Sequence, residues 1–179
     1  MDKRLRRMFR KKNLKTVLSF LIVFNLLSIP IYLVIITDYS FQPLQGMVAS
    51  ITTALLEVQG YSIVQNGQFM VVAAGNGIYR VEVSWDSTGW KSVYALFALV
   101  MATPVSTLWK KLRFLAIGLP AIFALNIARI VTTMLIAITL GFQYFDIVHT
   151  VLWREGLIIA VVLVWYIWLK KEKYNIRYK

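Results

Sequence analysis

Arg129 lies within an otherwise apolar run from Phe114 to Leu140, and Asn126 precedes it by one helical turn. A guanidinium inside such a run is expensive in hydrocarbon and normally faces a bundle interior or a wet cavity. His149 is the only histidine. A third feature is Ser84-Trp85-Asp86-Ser87-Thr88-Gly89-Trp90-Lys91-Ser92, where hydroxylated residues lead into a glycine and then an apolar run. A hydroxyl, a fixed cation and an imidazole together suit acyl transfer, as nucleophile, oxyanion or carboxylate stabiliser, and general base. Each feature also has a purely structural account. Arg129 could snorkel to an interface with Asn126 as helix glue, Ser84–Ser92 could be a capped helix start with Trp anchors, and His149 could be merely solvated. Arg154 and Glu155, five residues beyond His149, could pair with each other, or Arg154 could meet lipid headgroups or serve the site.

These residues need elements that bring them together, and composition says what kind. The chain has 179 residues, 59% of them hydrophobic, with 20 Lys+Arg against 8 Asp+Glu, a net charge of +12 and a mean hydropathy of +0.65. A disordered basic tail would need low hydrophobicity, and a soluble domain of this size rarely has so apolar an average. The charge is gathered in blocks between long apolar runs, the pattern of an integral membrane protein rather than of a nucleic-acid surface. The chain has no cysteine, which excludes a disulfide, a thiolate metal site and a cysteine nucleophile. One histidine without a carboxylate cluster falls short of a metal ligand set, so neither a metal nor another cofactor is expected.

The spacing predicts a mainly α membrane protein: one domain, 1–179, built as a bundle of four transmembrane helices. The expected spans are 16–36, 92–109, 114–140 and 151–169, flanked by basic ends at 1–15 and 170–179. Pro30 falls inside the first span, whose apolar part is too long for a signal peptide and lacks a small-residue cleavage site. Trp109, Trp153, Trp165 and Trp168 stand near span ends, where indoles favour the interface. Sixteen of the twenty basic residues lie in 1–15, in the 109–113 turn and in the tail beyond Leu169. Four spans place those three segments on one side, cytoplasmic by the positive-inside rule, giving N-in and C-in.

Residues 37–91 then form an external insert. Met47, Ile51, Leu55 and Val58 recur at roughly helical spacing and predict an interfacial or re-entrant helix. Three β-rich runs follow, Tyr61–Gln65, Gln68–Val72 and Ile78–Val83. Turns at Asn66-Gly67 and Gly75-Asn76-Gly77 separate them and predict a three-stranded meander leading into the second span. In this topology Ser87 tops the second span, Arg129 lies in the outer half of the third, and His149 tops the fourth. All three share one depth on one side of the membrane.

The series Asp86-Ser87-Thr88-Gly89-Trp90-Lys91-Ser92, Asn126-Ile127-Ala128-Arg129-Ile130 and His149 resembles the exosortase/archaeosortase family. Members carry Cys-(Ser/Thr)-Gly before a transmembrane helix, Asn-x-x-Arg-(Ile/Val) in the next, and a His or Arg after it. The resemblance covers about Val81 to Leu169. It implies a multi-pass membrane protease and transpeptidase of cysteine type, acting at the external face of the cell membrane. Its substrates would be exported proteins with a C-terminal tripartite sorting signal, cleaved and passed to an acceptor, a lipid in archaea. It puts the nucleophile at Ser87, the arginine at Arg129 and the third catalytic residue at His149 or Arg154, with Asn126, Asp86 and Thr88 in support or substrate binding.

The departure is serine at position 87, a much weaker nucleophile than a thiol. It fits either a Cys→Ser substitution made in the protein, favoured because the rest of the motif is kept, or a natural serine-using relative. Low or no transpeptidase activity is expected of this chain. The implied partners are the sorting-signal peptide and membrane lipids, not nucleic acid, and the oligomeric state is left open. The alternative functions are a non-catalytic anchoring or assembly protein and a small transporter with Arg129 as its ion site.

Overall fold

The computed structural model describes residues 3–75, 77–145 and 154–177, and side chains over 14–75, 77–145 and 156–172. The described chain is mainly helical: α1 (Lys3–Ile36), α2 (Gln42–Glu57), strands β1 (Ile63–Asn66), β2 (Phe69–Ala74) and β3 (Gly77–Glu82), a 3-10 turn (Trp85–Thr88), α3 (Trp90–Ala102), α4 (Leu108–Leu140), a second 3-10 turn (Phe142–Tyr144) and α5 (Arg154–Arg177). Among the described residues two helices are long and apolar enough to cross a membrane, Leu14–Ile36 within α1 and Leu108–Leu140.

The helices differ from expectation where local backbone chemistry intervenes. The apolar run expected over 92–109 is helical only through Ala102, 13 residues or about 20 Å. Thr103 sits at φ −70°, ψ 114°, the extended conformation that a following proline enforces, and Pro104 cannot extend the hydrogen-bond ladder. The loop is therefore 103–107 rather than 109–113, and α4 starts at Leu108, six residues before the expected 114. Lys110 and Lys111 are thus helical residues with named partners. The Lys111 ammonium donates to the Met101 carbonyl at 2.8 Å, satisfying an acceptor at the end of α3. Lys110 meets the buried Glu172 carboxylate at 3.2 Å, which also accepts from the Ser106 hydroxyl at 2.9 Å.

α4 is the spine, and its two halves belong to two different cores. The first half packs with α3 and α5 through Leu96, Val100, Leu115, Ile122, Val161 and Trp168. The second half packs against α2 and the sheet through Val48, Leu56, Met70, Val72, Ile127, Ile130 and Met134. α3 also lies against α1, whose Val17, Leu18, Leu21, Leu26 and Leu33 stay exposed, as a lipid-facing surface requires. Trp168 is buried against the Phe114 ring, and the Trp165 indole donates to the Thr103 hydroxyl at 2.9 Å. Trp168 is thus a core residue rather than an interface anchor; Trp109 is exposed, and Trp153 lies outside the described residues.

The meander forms in the order β1-β2-β3, antiparallel throughout. Asn66 pairs with Phe69, so the two-residue loop is Gly67-Gln68, one residue later than the Asn-Gly signal suggested. Only Gly67 has a positive φ (+58°), the pattern of a type II′ turn with glycine first. α2 turns Val48, Ala49, Thr52 and Leu56 inward, while Met47, Leu55 and Val58 of the apolar stripe face out.

Leu96→Ala, which empties the fully buried contact between α3 and α4 near Gly118, is expected to cost about 2–5 kcal/mol. Ile117→Ala, at a side chain 76% exposed on α4, should leave the unfolding midpoint in one detergent nearly unchanged.

Candidate active site

The site forms where the 3-10 turn meets the middle of α4. Strand β3 ends at Glu82, and Ser84 (φ −64°, ψ 160°) caps the turn that follows. The Ser87 amide donates to the Ser84 carbonyl at 3.0 Å and to the Ser84 hydroxyl at 3.3 Å. The two hydroxyl oxygens are 2.9 Å apart, so the Ser87 side chain has a fixed hydrogen-bond partner. Ser87 is 9% exposed.

Two contacts hold this turn against α4. The Asn126 side-chain amide, wholly buried, donates to the Ser87 carbonyl at 2.9 Å. Gly89 closes the turn at φ +80°, and a Cβ there would stand 2.6 Å from Asn126 Cγ. Glycine is required twice, for the left-handed backbone and for the close approach. The asparagine of the sequence motif therefore places the serine of the other motif, across 39 residues of chain.

Arg129, one turn further along α4, is 7% exposed, so it does not reach out to an interface. It belongs to neither described ion pair, Lys91–Asp86 or Lys110–Glu172. Its Nε has no partner among the described residues, and neither has Asn126 Oδ1. An unmet buried polar atom costs about 1–3 kcal/mol, and these two stand a turn apart on α4, Asn126 directly against the Ser87 turn. Among the described residues no hydrogen bond joins Arg129 to Ser87. A narrow pocket of about 20 Å³ opens at Ser87, bounded by Met70, Val81, Glu82, Val83, Ile130, Thr133, Met134 and Phe145. It has room for about one water.

The remaining expected site residues divide. Thr88 is buried and its hydroxyl donates to the Trp85 carbonyl at 2.8 Å, so it closes the turn rather than facing the pocket. Asp86 is exposed and pairs with Lys91 at 2.7 Å. His149 lies outside the described residues; Arg154 begins α5, and its side chain lies outside them too. Ser84 fell within the Ser84–Ser92 feature but was not assigned to the site, and Glu82 and Thr133 were not singled out by sequence. Ser84 carried a usable signal, a hydroxyl three residues before Ser87, the spacing of a cap. Glu82 and Thr133 carried none.

The sequence model of transmembrane exosortases (Exosortase_EpsH) matches residues 8–168. Archaeosortase A of Haloferax volcanii is 36% identical over 110 residues, 58% of this chain and 35% of that protein. The match thus spans about a third of the relative's length. No solved structure matches the chain significantly.

The Gly89–Asn126 apposition has a measurable consequence. Gly89→Ala is expected to destabilise by about 1–3 kcal/mol from the left-handed φ, with the steric conflict in addition. Gly89→Ala/Asn126→Ala should be less destabilised than the sum of the single variants, because the second change removes the obstructing amide. Additive values in a detergent unfolding cycle would count against the close approach.

Proposed function

The chain belongs to the transmembrane exosortase family, and from that membership we propose that it is a membrane transpeptidase for C-terminal sorting signals, with Ser87 at the nucleophile position. The observation that carries this reading is the pair of buried atoms, Asn126 Oδ1 and Arg129 Nε, that have no partner among the described residues and lie on the helix whose Asn126 holds the Ser87 carbonyl. Structural glue would be expected to satisfy itself; buried polar atoms without partners among the described residues suit a group that arrives with the substrate.

In the proposed reaction the Ser87 oxygen attacks the scissile carbonyl of an exported protein. Its proton passes to a base, for which His149 is the candidate; Arg154 is the alternative third residue, in the role of a fixed cation rather than of a proton acceptor. Arg129 stabilises the oxyanion. The amine of the downstream segment leaves with that proton, and an acceptor then displaces Ser87 from the ester; a lipid is the candidate acceptor. A serine hydroxyl depends wholly on its base, whereas a thiol is partly ionised near neutral pH. Low activity is therefore proposed for the chain as it stands, with cysteine the residue suited to this position. The proposed topology keeps the sixteen charges of 1–15, the start of α4 and the tail in the cytoplasm and turns the sheet and Ser87 outward.

Ser87→Cys is expected to raise processing of a co-expressed tripartite-signal substrate from baseline to a readily detected product. Arg129→Ala in that background should cut the rate about 10²–10³-fold. No product from Ser87→Cys with any such substrate would overturn the enzyme reading. Topology has its own test, which the cysteine-free sequence makes clean. A cysteine at position 78 should react with an impermeant maleimide on intact cells, and one at position 171 only after permeabilisation.

A further inference from the structure

The meander ends on an open edge that leads into the site. β3 pairs with β2 on one side, and no described strand pairs with it on the other. The phase of that edge follows from the hydrogen bonds. The Val83 amide donates to the Gln68 carbonyl at 2.9 Å, so this residue pair is hydrogen-bonded. In an antiparallel ladder such pairs alternate with non-bonded ones. With the register Met70–Val81 and Val72–Tyr79, Val81 and Tyr79 turn their backbone groups toward β2. Ile78, Arg80 and Glu82 turn theirs away, leaving three amides and three carbonyls along one edge.

Side chains leave this edge accessible. Those of Ile78, Arg80 and Glu82 lie on the outer face of the sheet; Ile78 is 80% exposed and the Arg80 guanidinium lies over the Phe69 ring at 3.9 Å. Tyr79 and Val81 face the other way, Tyr79 stacked on Phe142 and Val81 against the core. Two residues after β3 comes Ser84, the cap of the Ser87 turn. Val81, Glu82 and Val83 form the wall of the pocket that ends at Ser87.

We propose that β3 is the docking edge for the substrate polypeptide, which adds to the sheet as a fourth strand and is thereby led to Ser87. This deepens the transpeptidase reading and rests on it. A peptide bond open to attack cannot be inside a helix, so its segment must be extended. Extended backbone near a bilayer carries unmet amides and carbonyls that are costly away from water. The outward groups of residues 78, 80 and 82 satisfy them at the two-residue spacing of a strand, whatever the side chains between. The occupant is thus an extended peptide recognised chiefly through its backbone.

The test uses the Ser87→Cys protein in liposomes with a tripartite-signal substrate. Arg80→Pro removes an outward amide and leaves the ladder to β2 intact, as edge positions tolerate. Arg80→Ala removes the same side chain and keeps the amide. The expected gap between the two is about tenfold in KM, the order of one hydrogen bond, with kcat within about twofold. Equal KM values would overturn the edge while leaving the enzyme reading intact.

A second measurement does not depend on how Arg80→Pro folds. Substrates N-methylated at single positions before the scissile bond should lose affinity at every other position, and a flat profile would overturn the proposal. A photoreactive residue at position 78 in the Ser87 protein should capture that same segment of substrate without turnover. Capture without cleavage by Ser87→Cys would sink the enzyme reading alone, and capture of the chain's own 146–153 segment instead of substrate would sink the edge.

Discussion

The arrangement depends on a close approach between a glycine and an asparagine. Gly89 lets the backbone of the 3-10 turn lie against the Asn126 side chain, and Asn126 holds the Ser87 carbonyl at 2.9 Å. A Cβ at position 89 would collide with the Asn126 side chain, so that either the turn or the amide must move and the hydrogen bond is strained. Because Ser84 in turn fixes the Ser87 amide and hydroxyl, three short-range constraints leave the Ser87 side chain little freedom.

α4 makes such a polar junction tolerable. Below Asn126 the helix is packed into the α3–α5 cluster, and above it into the α2–sheet cluster. Both supply fully buried apolar residues, among them Leu96, Ile122, Met70 and Met134. That burial offsets the two polar atoms at the seam that lack partners among the described residues. The family match extends over 8–168, taking in α1, α2 and the sheet as well as the motif helices. This accords with a site whose walls come from Met70, Val81 and Val83 as much as from α4.

Elements with strong local signals were legible in the sequence, and their edges were not. The long apolar run of α4 was plain, yet its start moved to Leu108 because proline chemistry at Thr103-Pro104 places the loop, while hydropathy averages over it. The Asn-Gly pair announced the hairpin but not its phase, since only Gly67 has to take a positive φ. The stripe on α2 was real, but Met47 and Leu55 face out and Ile51 packs only partly on the core, which Val48, Ala49, Thr52 and Leu56 fill. Trp168 looked like an interface anchor by position and is buried against Phe114, a matter of which helix face meets a neighbour.

Sequence alone determined the membrane class and the family motifs, because apolar length, charge blocks and residue spacing are local properties of the chain. It also singled out Ser87, Asn126 and Arg129, each of a type costly or conspicuous where it stands. Only the tertiary structure decided what those residues touch. Asn126 binds the Ser87 backbone, Thr88 and Asp86 are occupied within their own turn and at the surface, and Ser84 stands beside Ser87. Such contacts join residues as far as 39 positions apart. Packing of α4 against the turn sets them, and no local pattern in the sequence encodes that packing.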